Sequence, residues 1–184
     1  MCGRFYVESD EALEEKIHRL NRGLSVKAGD VRPGDGANVF FRDTALRAAN
    51  LKWGFDGIGS KLVINARSET AAQKPMFREL FRSYRLLVPA HGYYEWDRGG
   101  KKHLLGTDGG MFLAGLYRPD RGSFVILTLE AASGIRYIHP RMPVIFAGKI
   151  ASEWLNASND PVRVLEACRT DAVHPMNAQM RLEV

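Results

Sequence analysis

Leu86-Leu87-Val88-Pro89-Ala90-His91-Gly92-Tyr93-Tyr94-Glu95-Trp96 reads as a strand that enters, is bent by proline and glycine, and leaves as a second strand carrying one carboxylate among large aromatics. Beyond it, Arg98-Gly99-Gly100-Lys101 closes a hairpin, His103-Leu104-Leu105 returns, and Thr107-Asp108-Gly109-Gly110 closes another. Met111 to Tyr117 and Ser123 to Leu129 are two further strands, joined by a turn at Pro119-Asp120-Arg121-Gly122. Hairpin after hairpin with few helices predicts an α+β fold: a mainly antiparallel curved sheet or open β-barrel with flanking helices.

Upstream, Phe5-Tyr6-Val7 is a short strand, and Ser9 or Asp10 caps a helix in which Leu13, Ile17 and Leu20 recur at helical spacing, with a stop at Gly23. His18 falls on its polar side. Arg32-Pro33-Gly34-Asp35-Gly36 marks a loop, Val39–Arg42 and Ala45–Trp53 form a hairpin, and Gly54, Gly57 and Gly59 lack the strand-to-helix context of a phosphate cradle. Lys61–Ile64 is a strand running into Asn65-Ala66-Arg67-Ser68-Glu69-Thr70. Ser68 caps the helix that follows, and Pro75 breaks it, so its regular part is expected from Lys74 or Pro75, with Arg78, Arg82 and Arg85 opposite an apolar face. Downstream, the loop Ala131–Tyr137 leads through Ile138-His139-Pro140-Arg141-Met142-Pro143 into the strand Val144–Phe146. A short helix at Ser152–Leu155 and another opened by Asp160-Pro161 complete the chain, the latter burying Cys168 with Val164 and Leu165.

The 184 residues fit one domain, 1–184, with neither an internal repeat nor a separating linker. The formal net charge of +5 comes from arginines scattered through the chain and permits a polyanionic partner without requiring one. Two cysteines make no disulfide framework, no signal-peptide pattern opens the chain, and no apolar run reaches the roughly 18 residues that span a bilayer, so a cytoplasmic protein without membrane contact is expected. The histidines and cysteines show no metal-ligand spacing, and no cofactor is expected.

Met1-Cys2-Gly3-Arg4 carries the chemistry. Once the initiator methionine is clipped, Cys2 becomes a 1,2-aminothiol whose amine (pKa about 7.7 to 8.0) and thiol (about 8.5) are both partly deprotonated near neutrality. Together they can close a thiazolidine on an aldehyde, which an internal cysteine cannot do. The competing reading is a small apolar residue opening a buried strand. Asn65, Glu95 and His139 stand at other strand ends or bends, where a scaffold can bring them to one pocket. Singly they read as an Asx turn, an edge-strand charge and a histidine satisfying a carbonyl.

Met1–Arg4, Trp53-Gly54, Asn65–Thr70, Lys74-Pro75-Met76-Phe77-Arg78, Pro89–Trp96, Ala114-Gly115-Leu116-Tyr117 and His139–Pro143 together resemble, in order and spacing, the SOS response-associated peptidase family. The resemblance implies a mainly β fold with a basic channel for single-stranded DNA, covalent capture of abasic sites, autoproteolytic or peptidase-like removal of Met1, and an accompanying lyase activity. On that basis Cys2 is the crosslinking nucleophile, Asn65 orients its amine, His139 serves ring opening and Glu95 the Schiff-base steps. Arg4, Arg67 and Arg141 are expected to pair with phosphates, and Trp53, Met76, Trp96 and Pro33 to stack on or wedge between bases. A monomer that joins the nucleoid when bound to DNA is expected. The chain departs from the family after Trp53-Gly54, where a proline and second tryptophan give way to Phe55-Asp56-Gly57-Ile58-Gly59, and at Glu130 after Thr128. Glutamine amidotransferases with an N-terminal nucleophile share the Met-Cys-Gly opening, but their glycine-rich oxyanion segment is missing. A cysteine peptidase using Cys2 and His139, and a non-catalytic single-strand binding module, are the other readings.

Overall fold

A computed structural model of the chain describes residues 2–166, 168 and 173–176. In order, the elements are β1 (Phe5–Val7), α1 (Glu11–Leu20), β2 (Gly29–Val31), β3 (Gly36–Arg42), β4 (Leu46–Trp53), β5 (Phe55–Asp56), β6 (Leu62–Val63), β7 (Asn65–Arg67), α2 (Ser68–Ala71), α3 (Arg78–Ser83), β8 (Arg85–Ala90) and β9 (Gly92–Trp96). They continue with β10 (Lys102–Gly106), β11 (Met111–Arg118), β12 (Ser123–Glu130), β13 (Arg141–Pro143), β14 (Ile145–Phe146), α4 (Gly148–Leu155), α5 (Pro161–Glu166) and β15 (His174–Pro175). Met1 and the tail beyond Met176, part of the expected helical end, lie outside the described residues. Among the described residues no helix is long and apolar enough to cross a membrane.

The hairpins β3–β4 and β11–β12 and the antiparallel pairs β3–β8 and β8–β11 follow the alternation of the sequence. What joins them is β12, where Phe124 pairs with Tyr117 on one edge and, in parallel, with Trp53 on the other. The ring β12-β4-β3-β8-β11 therefore closes into a barrel. A second antiparallel sheet, β15-β10-β9-β1-β2, lies against it. Gly115, where β8 and β12 converge on β11, has no room for a side chain: a Cβ there would stand 2.6 Å from Leu86 Cδ1 and 2.7 Å from the Val125 carbonyl oxygen.

Trp53 is the hub between the two layers. Its ring lies 5.1 Å from Phe5 and stacks on Phe124 at 6.5 Å, its Nε1–H donates to the Ile64 carbonyl at 2.9 Å, and none of it is exposed. The expectation that Trp53 meets nucleobases is corrected: ring and N–H are spent on the core.

The start of α1 falls on one of its two expected caps, while those of α2 and α3 differ from expectation. Asp10, not Ser9, caps α1, accepting from the Leu13 N–H at 2.8 Å, and the helix ends at Asn21, whose N–H reaches the Ile17 carbonyl before Gly23. Ser68 is the first residue of α2 and makes no side-chain cap, while α3 starts only at Arg78 after the Pro75 break. Arg85 leaves the helix altogether. It opens β8, almost fully buried, with its guanidinium on the Asn156 and Asn159 carbonyls and 5.2 Å above Trp154, and burial pulls its pKa down to about 10. Cys168 lies past the end of α5, half-buried, its thiol against the Ile145 carbonyl at 3.1 Å.

Candidate active site

The register of β1 on β9 builds the site. Phe5 faces Tyr93, and the Tyr94 N–H donates to the Arg4 carbonyl at 2.9 Å, so the chain just before β1 runs beside the end of β9. Side chains alternate along a strand, so Tyr93 and Glu95 share one face of β9 and Tyr94 and Trp96 the other. Cys2 is shut from solvent with the first face.

β7 supplies the third side. Asn65 begins it, parallel to β12 at Ile126, and its Nδ2 donates to the Cys2 carbonyl at 2.9 Å. Its buried Oδ1 has no partner among the described residues. An amide that fixes the Cys2 backbone with its donor and keeps an acceptor in reserve is suited to orienting an α-amine on that residue.

Burial pushes the Cys2 thiol far above its ordinary value, and the neighbouring Glu95 carboxylate pushes it further. Such a thiol is protonated at neutral pH. Below the unfolded value, near 8.5, the folded and unfolded chains bind the thiol proton alike and the contribution to stability is complete. As the pH rises above that value the unfolded chain sheds the proton first, and stability falls by ~1.4 kcal/mol per pH unit. Cys2→Ala is therefore expected to flatten the alkaline side of the stability curve between about pH 8.5 and 10.5, read by urea unfolding, while changing its slope little at pH 6 to 8.

His139 is half-buried on the turn into β13. Its Nδ1 lies 3.0 Å from both the N–H and the carbonyl oxygen of Arg141. An unprotonated Nδ1 accepts from the amide and a protonated one donates to the carbonyl, so Nδ1 has a backbone partner in either tautomer.

Thr128 links this turn to β7, since it pairs with Pro143 on one edge and with Arg67 on the other. Arg141 crosses the rung. Its fork holds Glu69 at 2.6 and 3.0 Å, and Nη2 also donates to the Thr128 carbonyl at 2.7 Å. The Arg141 hydrogen bond leads the causes that hold the Glu69 carboxyl below its ordinary value. Arg141 is thus committed within the protein, and a phosphate there would have to displace Glu69. Glu69 itself was missed, although it sits inside the Asn65–Thr70 motif.

The remaining residues line the outside. Arg67 is exposed at the start of α2. Arg4 lies 5.6 Å over Trp96 and 5.9 Å over Tyr94, and 3.7 Å from Asp30. Lys102, opposite Trp96 in the hairpin, sits 4.0 Å over Tyr94, a second cation on that face that sequence reasoning missed because only the hairpin register brings it there. Trp96 is 39% exposed, Met76 40%, and Pro33 is exposed on the β2–β3 turn. A separate cleft of about 300 Å³, lined by Asp10, Lys16, His91 and Phe112 among others, lies on the α1 side of the molecule. Cys2 does not line it.

Residues 1–181 match the family model of the SOS response associated peptidase (SRAP). The abasic site processing protein YobE of Bacillus subtilis (strain 168) is 33% identical over 187 residues, spanning 88% of this chain and 85% of that protein. The abasic site processing protein YedK of Escherichia coli (strain K12) is 34% identical over 176 residues, spanning 84% and 79%. Among solved structures, a phage-related protein from Bordetella bronchiseptica shares the fold with a TM-score of 0.73 at 28% identity, covering 96% of this chain and 94% of that one. A protein from Bacteroides thetaiotaomicron, with a TM-score of 0.72 at 19% identity over all of this chain and 95% of its own, agrees in fold alone. The chain belongs to the SOS response associated peptidase family.

Proposed function

We propose that this protein captures abasic sites in single-stranded DNA covalently, through Cys2, after Met1 has been removed. The observation that carries the reading is the convergence of an amide, a carboxylate and a thiol on the second residue of the chain. Asn65 is hydrogen-bonded to the Cys2 carbonyl and Glu95 faces the thiol. The curated relatives named as abasic site processing proteins support the substrate.

The chemistry balances without a cofactor. An abasic deoxyribose rests mainly as a closed hemiacetal, and a general acid and base near its oxygens open it, a service typically worth ~10² to 10⁴ in rate. His139 takes that part. The α-amine of Cys2, held by Asn65 Oδ1, adds to the aldehyde carbon and water leaves as the imine forms. The thiol gives its proton to Glu95 and sulfur adds to the imine carbon. The imine nitrogen takes up a proton, so aldehyde and aminothiol become thiazolidine and water. Ring closure withdraws the imine that would otherwise favour β-elimination and strand breakage, and that elimination is the lyase reaction open to the same pocket. Release of Met1 by the chain itself, with Cys2 as thiol nucleophile, is the hydrolytic step of the proposal. It takes place in the cytoplasm, on a monomer, wherever single-stranded DNA is exposed.

Arg4, Arg67 and Lys102 supply positive charge around the site, and Trp96 and Met76 supply surfaces for bases. A single-strand contact to one phosphate contributes ~0.7 to the slope of log affinity against log salt. Arg67→Ala is expected to lower that slope by about this amount for an undamaged oligonucleotide, measured by fluorescence anisotropy. The test of the function itself is to mix processed protein with single-stranded DNA bearing one abasic site and examine the product after heating in denaturant. A one-to-one adduct is expected, and free DNA alone would refute the reading.

A further inference from the structure

The proposed mechanism leaves one buried group without work. Tyr93 is wholly buried, yet its hydroxyl, also buried, has no hydrogen-bond partner among the described residues. Leaving a phenol in this condition is costly, because a buried polar group without a partner has given up water for nothing. Phenylalanine would fill the same space without that cost. Phe5, which faces Tyr93 across the β1–β9 pair, is such a residue.

The hydroxyl is not adrift in the barrel. Tyr93 lies on the face of β9 that carries Glu95, two residues on, and the segment before β1, tied to β9 where the Tyr94 N–H donates to the Arg4 carbonyl, buries Cys2 in the same core cluster as Tyr93. Burial above all, then Cys2 and Glu95, push the phenol far above its ordinary value, so it stays protonated and acts as a donor. Cys2 has the opposite need. A thiol buried beside a carboxylate resists ionisation, and it lies 4.0 Å from the Arg4 carbonyl, an acceptor that offers nothing to a thiolate. Asn65 Nδ2 is already used on the Cys2 backbone.

We propose that Tyr93 is a positioning residue of the site, its hydroxyl donating a hydrogen bond to the Cys2 sulfur as that sulfur loses its proton. The inference deepens the proposed function and rests on it for its purpose, but the O–H···S contact can be tested without DNA. The titratable groups facing the sulfur are Glu95 and Tyr93 from β9 and, after processing, the α-amine of Cys2 itself.

The experiment compares processed Cys168→Ser protein with the same protein carrying Tyr93→Phe, by the pH dependence of iodoacetamide alkylation at Cys2, the melting temperature, and the rate of adduct formation on abasic single-stranded DNA. Tyr93→Phe is expected to melt no lower than its parent, since it removes an unsatisfied hydroxyl. It should move the alkylation midpoint up by about one pH unit and so slow alkylation and adduct formation about tenfold at neutral pH. Tyr93→Leu, which removes ring and hydroxyl together, should show the same alkylation shift with a lower melting temperature. Superimposable alkylation profiles for parent and Tyr93→Phe would overturn the inference, as would a lowered melting temperature in Tyr93→Phe, which would give the hydroxyl a structural partner. Failure of the parent to form any adduct would sink the proposed function, while the alkylation profiles still decide the contact.

Discussion

Replacing Cys2 by alanine is expected to abolish the heat-stable adduct with abasic single-stranded DNA, and replacing it by serine is expected to leave an adduct that only borohydride preserves. The two substitutions separate the two nucleophiles of the first residue. Neither variant keeps the thiol for self-release of Met1, so both are compared after enzymatic removal of the initiator, which a small second residue permits. Both then keep an α-amine, and an imine can still form. Alanine offers nothing to close the ring. Serine can close only an oxazolidine, which water reopens, so heating should return free DNA unless the imine is first reduced. A stable serine adduct would show that sulfur is not needed and that the thiazolidine is the wrong product. Loss of all imine trapping in both variants would mean that the amine itself is not the attacking group, which is the behaviour of a thioester-forming amidotransferase or peptidase. Structural collapse is a poor rival for either result, because the hydrogen bond lost with the thiol is a 4.0 Å contact to the Arg4 carbonyl.

The same residues show how far the sequence could be read. Strand alternation found the hairpins β3–β4, β9–β10 and β11–β12, because each joins neighbours through a turn whose residues announce it. It could not find the parallel pairing of β12 with β4 and β7, whose partners are separated by the middle of the chain, and that pairing closes the barrel. Pro89 illustrates a second limit. Proline in a central strand argues against the strand, but β3 pairs with β8 only at Leu86 and Leu87, so Pro89 stands where no ladder bond to β3 is demanded of it. At the site, Cys2, Asn65 and Glu95 were legible as polar groups at strand ends. Trp53 and Arg85 were misread for a shared reason: a tryptophan beside a glycine and an arginine continuing a helical spacing look the same whether they face solvent or the core. Tyr93, one aromatic among several, gave no signal until its buried hydroxyl was seen without a partner.

Glu95→Gln is expected to speed one reaction of Cys2 and slow another. Glu95 is 4% exposed, so the amide replaces the carboxylate at nearly constant volume inside a closed site. Its charge is the second cause, after burial, of the high thiol pKa. Removing that charge lowers the thiol pKa, and the alkylation midpoint of processed protein should move toward neutrality. Adduct formation should move the other way. A glutamine takes up no proton from the thiol and returns none to the departing water, and loss of a general base or acid typically costs ~10² to 10⁴ in rate. The pair of measurements is stricter than either alone. A residue that merely shaped the pocket would slow both reactions, and one that merely restrained the thiol would, once neutralised, accelerate both. Faster alkylation with slower capture is the pattern of a carboxylate that holds the sulfur inactive by its charge and then serves the reaction by accepting the proton. If capture on abasic DNA quickened with alkylation, Glu95 would be a brake on Cys2, and the proton transfers now given to it would have to pass to His139.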